Sequence, residues 1–265
     1  MQHSFSTLGC PDDSLDEVMA LAAKHGITAL ELRALGGTVE LPAYFGAGWG
    51  EPAALATHVA NAGCRVIALD TSFRLIGNST EDRRALRAFL PWAEALGGVN
   101  LRVFDGGQVD AVDLEEALVT LQWWHDERAS SGWRSDLMIE THDSLVTADA
   151  IQALADRAPA GGVRLLWDAH HTWKKGGEDP VVTWEAIAPM VRHVHVKDSV
   201  STPSARHDFT YVLPGDGEFP MRELRSRLSA DSYAGPLSLE WERKWHPYLP
   251  PLADALALAD ARRWW

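Results

Sequence analysis

Four short stretches of this chain close an apolar run with residues that bind cations or move protons. They are Ile139-Glu140-Thr141-His142, Trp167-Asp168-Ala169-His170-His171, His193-Val194-His195-Val196-Lys197-Asp198 and Leu239-Glu240-Trp241-Glu242-Arg243. Carboxylates and neutral imidazoles are the oxygen and nitrogen donors that hold a divalent metal. Brought to one place, Glu140, Asp168, His195 and Glu240 would supply three oxygens and one nitrogen. Three carboxylates at close range repel one another unless a cation sits among them. Their convergence would therefore imply one divalent ion. The donor set suits Mn2+, Mg2+ or Co2+, with Zn2+ possible but less favoured without a cysteine ligand. Taken singly, each residue has an ordinary explanation. Asp168 reads equally well as a helix cap beside two surface histidines, Glu140 as a rim charge, and His195 as a hydrogen-bonded core histidine. His193 and His195 alternate along one strand, and we expect one to face inward and the other outward. Glu240 and Glu242 share a strand face, so spacing does not say which of them coordinates.

The elements that must position these residues follow from periodicity. Apolar, β-branched runs at 3–7, 27–33, 64–71, 99–104, 136–141, 163–167, 191–196 and 236–241 read as strands. Helical spacing covers 15–25, 51–62, 80–96, 114–129, 147–157, 180–190, 219–228 and 252–263, several of these closed by glycine. Residues 36–50 read as a long glycine- and aromatic-rich connection, and 199–216 as a long polar loop. Eight strands each followed by a helix, with no Gly-x-Gly-x-x-Gly after the first strand and no dividing linker, indicate a single (β/α)8 TIM barrel spanning 1–265. Chemistry in such a barrel sits at the C-terminal strand ends. Strands five to eight would then present their polar termini on one rim.

Composition narrows the function further. The net charge of −13 argues against a nucleic-acid partner, whose phosphate backbone demands a basic surface. Cys10 and Cys64 are too few for a disulfide framework, so the reading is a reducing cytoplasm. Residues 1–8 lack the features of a signal peptide, and no apolar stretch approaches a membrane span. Among twelve tryptophans, Trp173, Trp241 and Trp245 are candidates for a pocket wall, with ordinary packing expected for at least two of the three.

Over nearly its whole length the chain resembles the sugar phosphate isomerase/epimerase family, the xylose isomerase-like TIM barrels that also include endonuclease IV. The resemblance rests on Glu140-Thr-His142, Asp168-Ala-His-His171, His195-Val-Lys-Asp198, Pro214-Gly-Asp-Gly217 and Glu240-Trp-Glu-Arg-Lys-Trp-His246, in family order. It implies Glu140, Asp168, His195 and Glu240 as metal ligands, and His171 as a contact to substrate oxygens. It also implies Glu140 and Glu240 as the catalytic acid–base pair of an isomerase or epimerase of a small sugar or polyol. Such an enzyme removes a proton next to a carbonyl and returns it through an enediolate, with the metal as Lewis acid. The chain departs from the family in two places. Ser144-Leu145-Val146 stands where epimerases of the tagatose/psicose type carry a further acidic residue. The extra histidines of the three-metal nuclease branch are absent, since Arg33 and Leu35 follow strand two and Asp70, Thr71 and Ser72 end strand three.

Further candidate substrate contacts are His142 and Lys197 beside the ligands, and Arg102 if it faces inward rather than pairing with Asp105 or Glu140. Arg206, with His207, sits in the loop after strand seven. Glu31 and Arg33 are expected to face inward as a pair. No phosphate-binding glycine loop stands out. The alternatives are a metal-dependent lyase or dehydratase acting on a sugar, inosose or glycoside, a nuclease-like phosphodiesterase, and a sugar-binding barrel without chemistry. A homo-oligomer is compatible with all of them.

Overall fold

The computed structural model describes residues 1–108, 113–159 and 161–265. Eight parallel strands close into a barrel: β1 (Gln2–Ser6), β2 (Ala29–Leu32), β3 (Arg65–Ile76), β4 (Asn100–Gly106), β5 (Leu137–Glu140), β6 (Leu165–Asp168), β7 (Val191–Val196) and, after a hairpin of β8 (Asp198–Val200) and β9 (Thr210–Val212), β10 (Pro236–Leu239). Closure is made by β1 against β10, in register from Gln2↔Pro236 to Phe5↔Leu239. The helices are α1 (Leu15–Lys24), α2 (Leu41–Trp49), α3 (Pro52–Asn61), α4 (Thr80–Ala95), α5 (Leu114–Ser131), α6 (Ala148–Ala155), α7 (Ala169–Lys174), α8 (Pro180–Ile187), α9 (Met221–Ala230) and α10 (Leu252–Arg262). Their starts follow local chemistry. Ser14 with Glu17 and Ser79 with Asp82 form capping boxes, and Asp113, Thr147 and Asp179 accept from the first-turn N–H groups.

Strand periodicity divides the buried residues into two sets. One set faces the helices and forms the main apolar core, including Phe5, Leu30, Leu69, Leu101, Val103, Ile139, Leu165, Trp167, Val194 and Leu239. Burying each such side chain contributes roughly 1.5–3 kcal/mol. The other set points into the barrel. Ala68, Met138 and Leu166 make a small apolar cluster of their own. Two residues further along the same strands stand Asp70, Glu140 and Asp168, all buried. The interior is thus apolar toward the strand starts and charged toward the strand ends.

The structure departs from the sequence reading in several places. Residues 36–50 are not a plain connection. They contain α2, in which Leu41 and Phe45 are buried one turn apart and Phe45 packs on Trp92 with ring centroids 5.3 Å apart. β3 runs on to Ile76 and, after a register shift past Asp70, pairs again with β4 at Arg74↔Phe104 and Ile76↔Gly106. The helix of 180–190 ends at Ile187 and finishes as a 3-10 turn. The polar loop of 199–216 holds most of the antiparallel β8–β9 hairpin. His193 and His195 both point inward, because residues two apart on a strand share a face.

Two glycines test this local reading. Gly106 has φ +69°, and a Cβ there would collide with the Ile76 carbonyl oxygen. Gly46 lies exposed inside α2 with open space around its Cα. Gly106→Ala should cost more than about 1 kcal/mol, whereas Gly46→Ala should stabilise by roughly 0.5–1 kcal/mol, both read from urea denaturation.

Candidate metal centre

Each of the last four barrel strands brings one polar side chain to the mouth. Glu140 ends β5, Asp168 ends β6, His195 lies near the end of β7, and Glu240 follows β10 directly. One donor atom from each lies within 4.8 Å of the others, and all four residues are buried. His195 Nδ1 is 3.7 Å from Glu140 Oε1, 4.0 Å from Asp168 Oδ2 and 3.5 Å from Glu240 Oε2. Donors bonded to one ion at about 2.0–2.2 Å lie roughly 3–4 Å from each other. Both Glu140 oxygens and His195 Nδ1 are buried without a hydrogen-bond partner. Buried polar atoms are normally satisfied. Of these atoms Glu140 Oε1 and His195 Nδ1 face the cluster and fit a divalent cation, while Glu140 Oε2 faces Arg102.

Asp168 caps a helix with one oxygen and turns the other to the cluster, so the cap and ligand readings do not compete. Its Oδ1 accepts from the His171 N–H at 2.8 Å and caps α7, while Oδ2 faces the cluster. His195 is oriented from behind. Its Nε2 lies 2.8 Å from Glu31 Oε1, which fixes the ring with Nδ1 toward the cluster, where it would give its lone pair to a bound cation. Glu31 also holds His193, whose Nε2 is 3.1 Å from Oε2 and 2.6 Å from Ser238 Oγ. Glu31 therefore pairs with histidines and not with Arg33, which donates to Ser72 Oγ at 3.1 Å instead. Burial and the nearby Arg102 guanidinium push Arg33 down to about 10.

Two fixed cations offset the carboxylates. Lys197 Nζ lies 2.6 Å from Asp168 Oδ2 and 2.7 Å from Glu242 Oε1, and also bonds Glu240 Oε2. Burial alone would lower its pKa, but the surrounding carboxylates hold it well above the ordinary lysine value. Arg102 faces inward and meets Glu140, Nε to Oε2 at 3.2 Å, and Asp70 at 3.6 Å, with its guanidinium carbon 4.1 Å from the Phe104 ring centroid. Burial would raise Glu140 and Glu240. Arg102 draws the first below the usual carboxylate range, and Lys197 with His195 draws the second well below it. Asp70 behaves oppositely, pushed well up by burial and by its neighbour Glu31.

The remaining candidates spread around the mouth. His171 is buried, with Nδ1 3.1 Å from the Thr141 carbonyl oxygen, and its ring meets that of His142 edge-on at 4.8 Å. Asp105 does not pair with Arg102. Its carboxylate accepts from the N–H groups of Gly106, His142, Asp143, Ser144 and Leu145, which fixes the turn that carries His142. Arg206 is exposed at the tip of the β8–β9 hairpin, whereas the four cluster residues are buried, and His207 stacks on Phe209. Glu242 lies outside the ligand group and bonds Lys197 and the Tyr211 hydroxyl. Trp241 is buried with its Nε1 donating to the Pro250 carbonyl, and Trp173 packs on Phe219. Trp245 is exposed on a cavity wall. Sequence reasoning missed Asp70, Tyr211 and the anchoring role of Asp105. Inward position on a strand was the only available signal for Asp70, and none marked the other two.

His170 packs among Phe209, Tyr211, Phe219 and Trp173, with Nε2 2.7 Å from Ser199 Oγ. Burial pushes its pKa well below 6.5.

Comparison with known proteins gives the following. A family model described as "Xylose isomerase-like TIM barrel" matches residues 19–265. A search of curated proteins found no match. Among solved structures, the probable 3-DHS dehydratase AsbF involved in petrobactin synthesis from Bacillus anthracis superposes with a TM-score of 0.77 at 16% identity, covering 98% of this chain and 99% of that one. The IolI protein, solved with a bound zinc atom, gives 0.74 at 17% identity, covering 98% and 96%. The 3-keto-D-glucoside 4-epimerase of E. coli gives 0.67 at 15% identity, covering 98% and 99%. At these identities the likeness is one of fold. Among the described residues no helix is long and apolar enough to cross a membrane.

Three outcomes test the site. Protein dialysed against Mn2+ and then buffer should retain one ion per chain by elemental analysis, and Asp168→Ala should retain none. Glu31→Gln should weaken metal affinity by roughly 10–100-fold through the loosened His195 ring, measured by competition with a chelator. The unfolded chain binds a proton at His170 below about pH 6.5 that the folded chain excludes, so this stability is present above that pH and lost as pH falls. His170→Phe should remove up to about 1.4 kcal/mol per pH unit of that acid-side loss, read from urea midpoints between pH 7.5 and 5.

Proposed function

Because this chain belongs to the xylose isomerase-like TIM barrel family, we propose that it is a divalent-metal-dependent isomerase or epimerase of a sugar or polyol. The observation that supports this most is the convergence of Glu140, Asp168, His195 and Glu240, with orphaned buried donor atoms, at the strand ends of the barrel. A cation held by these four residues supplies a Lewis acid for a carbonyl oxygen. The donor set is three oxygens and one nitrogen, and Mn2+, Mg2+, Co2+ and Zn2+ are all candidates.

The protein's own groups supply proton transfer and orientation. Glu140 and Glu240 come from strands separated by β6 and β7, so they approach a bound substrate from different sides. One takes the proton next to the carbonyl and the other returns it, passing through an enediolate. Arg102 holds Glu140 ionised as the base, and the Lys197 ammonium bonded to Glu240 passes it the proton that Glu240 returns, after which solvent takes the proton from Glu140 and restores that of Lys197. His142 and His171, in edge contact beside Glu140 and Asp168, are placed to bind hydroxyl oxygens. The interior apolar cluster of Ala68, Met138 and Leu166 closes the floor against water.

A second reading, elimination with loss of water or an aglycone, is favoured by one observation. The Lys197 ammonium adds a proton-bearing group beside the two carboxylates, as expulsion of a leaving group requires. Both readings begin with the same proton abstraction, and product mass separates them.

The test is exchange of a substrate proton with solvent deuterium, followed by NMR across a panel of ketoses, aldoses and inososes with metal-loaded protein. Wild type should exchange one carbon-bound proton of its substrate. Glu140→Gln and Glu240→Gln should each slow exchange by about 10²–10⁴-fold. If both variants exchange at the wild-type rate, the two-carboxylate mechanism is wrong.

A further inference from the structure

A concave site separate from the four-residue cluster lies between the C-terminal end of α7 and the tip of the β8–β9 hairpin. It is a cavity of about 530 Å3, and none of the four cluster residues lines it. Pockets that bind small molecules run from roughly 300 to 1,000 Å3. Its charge runs against that of the chain. Lys174, Lys175 and Arg206 line it with one acid, Asp208, in a protein of 24 basic and 37 acidic residues.

The two lysine heads are already held in place. Lys174 is the last residue of α7, and its Nζ lies 3.0 Å from Ser201 Oγ, 3.4 Å from Glu218 Oε2 and 4.0 Å from the Trp173 ring centroid. Lys175 Nζ donates to the His142 carbonyl oxygen at 2.7 Å, a neutral acceptor that leaves its charge uncompensated. Arg206 enters from the hairpin. Among the described residues neither it nor Lys175 forms an ion pair within 4.0 Å. Lysines at the end of a helix are ordinary, because they offset its unpaired carbonyl groups. That accounts for Lys174 and Lys175 and not for an arginine brought to the same cavity by another element. The hairpin wall is firm at its base, where the His207 ring stacks on the buried Phe209 with centroids 4.8 Å apart.

We propose that this cavity binds a small organic anion carrying two or more negative charges, a phosphate monoester or a polycarboxylate. Two ammonium groups supply point charges and the Arg206 guanidinium a planar fork, which together match the several oxygens of such a group. The volume exceeds what a bare oxyanion fills, so the ligand carries an organic body. Bound there, it joins the hairpin tip to the end of α7. The site stands whether or not the metal centre processes a sugar.

The test is calorimetric titration of glucose 6-phosphate and of the tricarboxylate tricarballylate, with glucose and acetate as the matched controls, into Mn2+-loaded and chelator-stripped protein. One polyvalent anion or both should bind about tenfold or more tightly than its control, equally in the two metal states, and which of them gains identifies the phosphate or the carboxylate source. Lys175→Gln and Arg206→Gln should each weaken that binding by about fivefold or more, whereas Arg84→Gln, at an exposed position on α4, should leave it unchanged, with Tm measured on the same samples. Arg206 is exposed on the hairpin tip, so its variant decides the matter if Lys175→Gln fails to fold. No gain over the controls overturns the site. A gain that requires Mn2+ places the anion at the metal and overturns it too. So does a gain that survives both substitutions, or one that Arg84→Gln reduces as much as they do.

Discussion

The dominant constraint on this structure is the concentration of negative charge in a dry place. Glu140, Asp168 and Glu240 are buried at one mouth, with Glu31 and Asp70 behind them. Two like charges 4 Å apart repel by about 4 kcal/mol even at an effective dielectric of 20. A few such pairs would match the whole stability of a typical domain, about 5–15 kcal/mol. The surrounding structure is arranged to meet that cost. Lys197 and Arg102 lie in contact with the carboxylates, His195 turns its Nδ1 toward them, and the set of donors suits a divalent cation. The barrel supplies the rigidity, because each of the four cluster residues stands at the end of a different strand whose neighbours fix its height and direction.

Several side chains meet this constraint by dividing their atoms between tasks. Asp168 spends one oxygen on the first turn of α7 and turns the other to the cluster. His195 gives one nitrogen to Glu31 and the other to the cluster. Lys197 bridges Asp168 and Glu240 of the cluster and a third carboxylate, that of Glu242. Such sharing makes substitutions here poorly separable. Removing Asp168 takes away a helix cap as well as a carboxylate of the cluster.

Features carried by local pattern could be read from the chain. An apolar run ending in a carboxylate marks a strand end at Glu140, Asp168 and Glu240. Features that depend on distant partners could not. The Glu31–His195 bond joins residues 164 apart, and nothing near either one announces the other. The helix α2 was hidden because Gly46 and Gly48 weaken its local preference, and burial of Leu41 and Phe45 overrides that weakness. The β8–β9 hairpin was hidden because its residues are polar and its strands only three residues long. The inward placement of both His193 and His195 follows from strand period alone, once that period is applied at a spacing of two. The exposed Trp245 and Tyr248 lie on the loop between β10 and α10, where periodicity carries no information.

The hairpin is also held in an unusual way. The Asp198 carboxylate, at its first residue, accepts from the N–H groups of Ser199, Gly215, Gly217 and Phe219, so one side chain ties the point where the segment leaves the barrel to the point where it returns. Between Val200 and Leu213 the segment is anchored further by Phe209 and Tyr211, both buried against His170, while residues 202–206 lie largely outside the core. That short tip is an exchangeable cassette. Its length and chemistry can be rewritten, by evolution or by library design, while Asp198 and the two aromatic rings hold the rest of the hairpin in place.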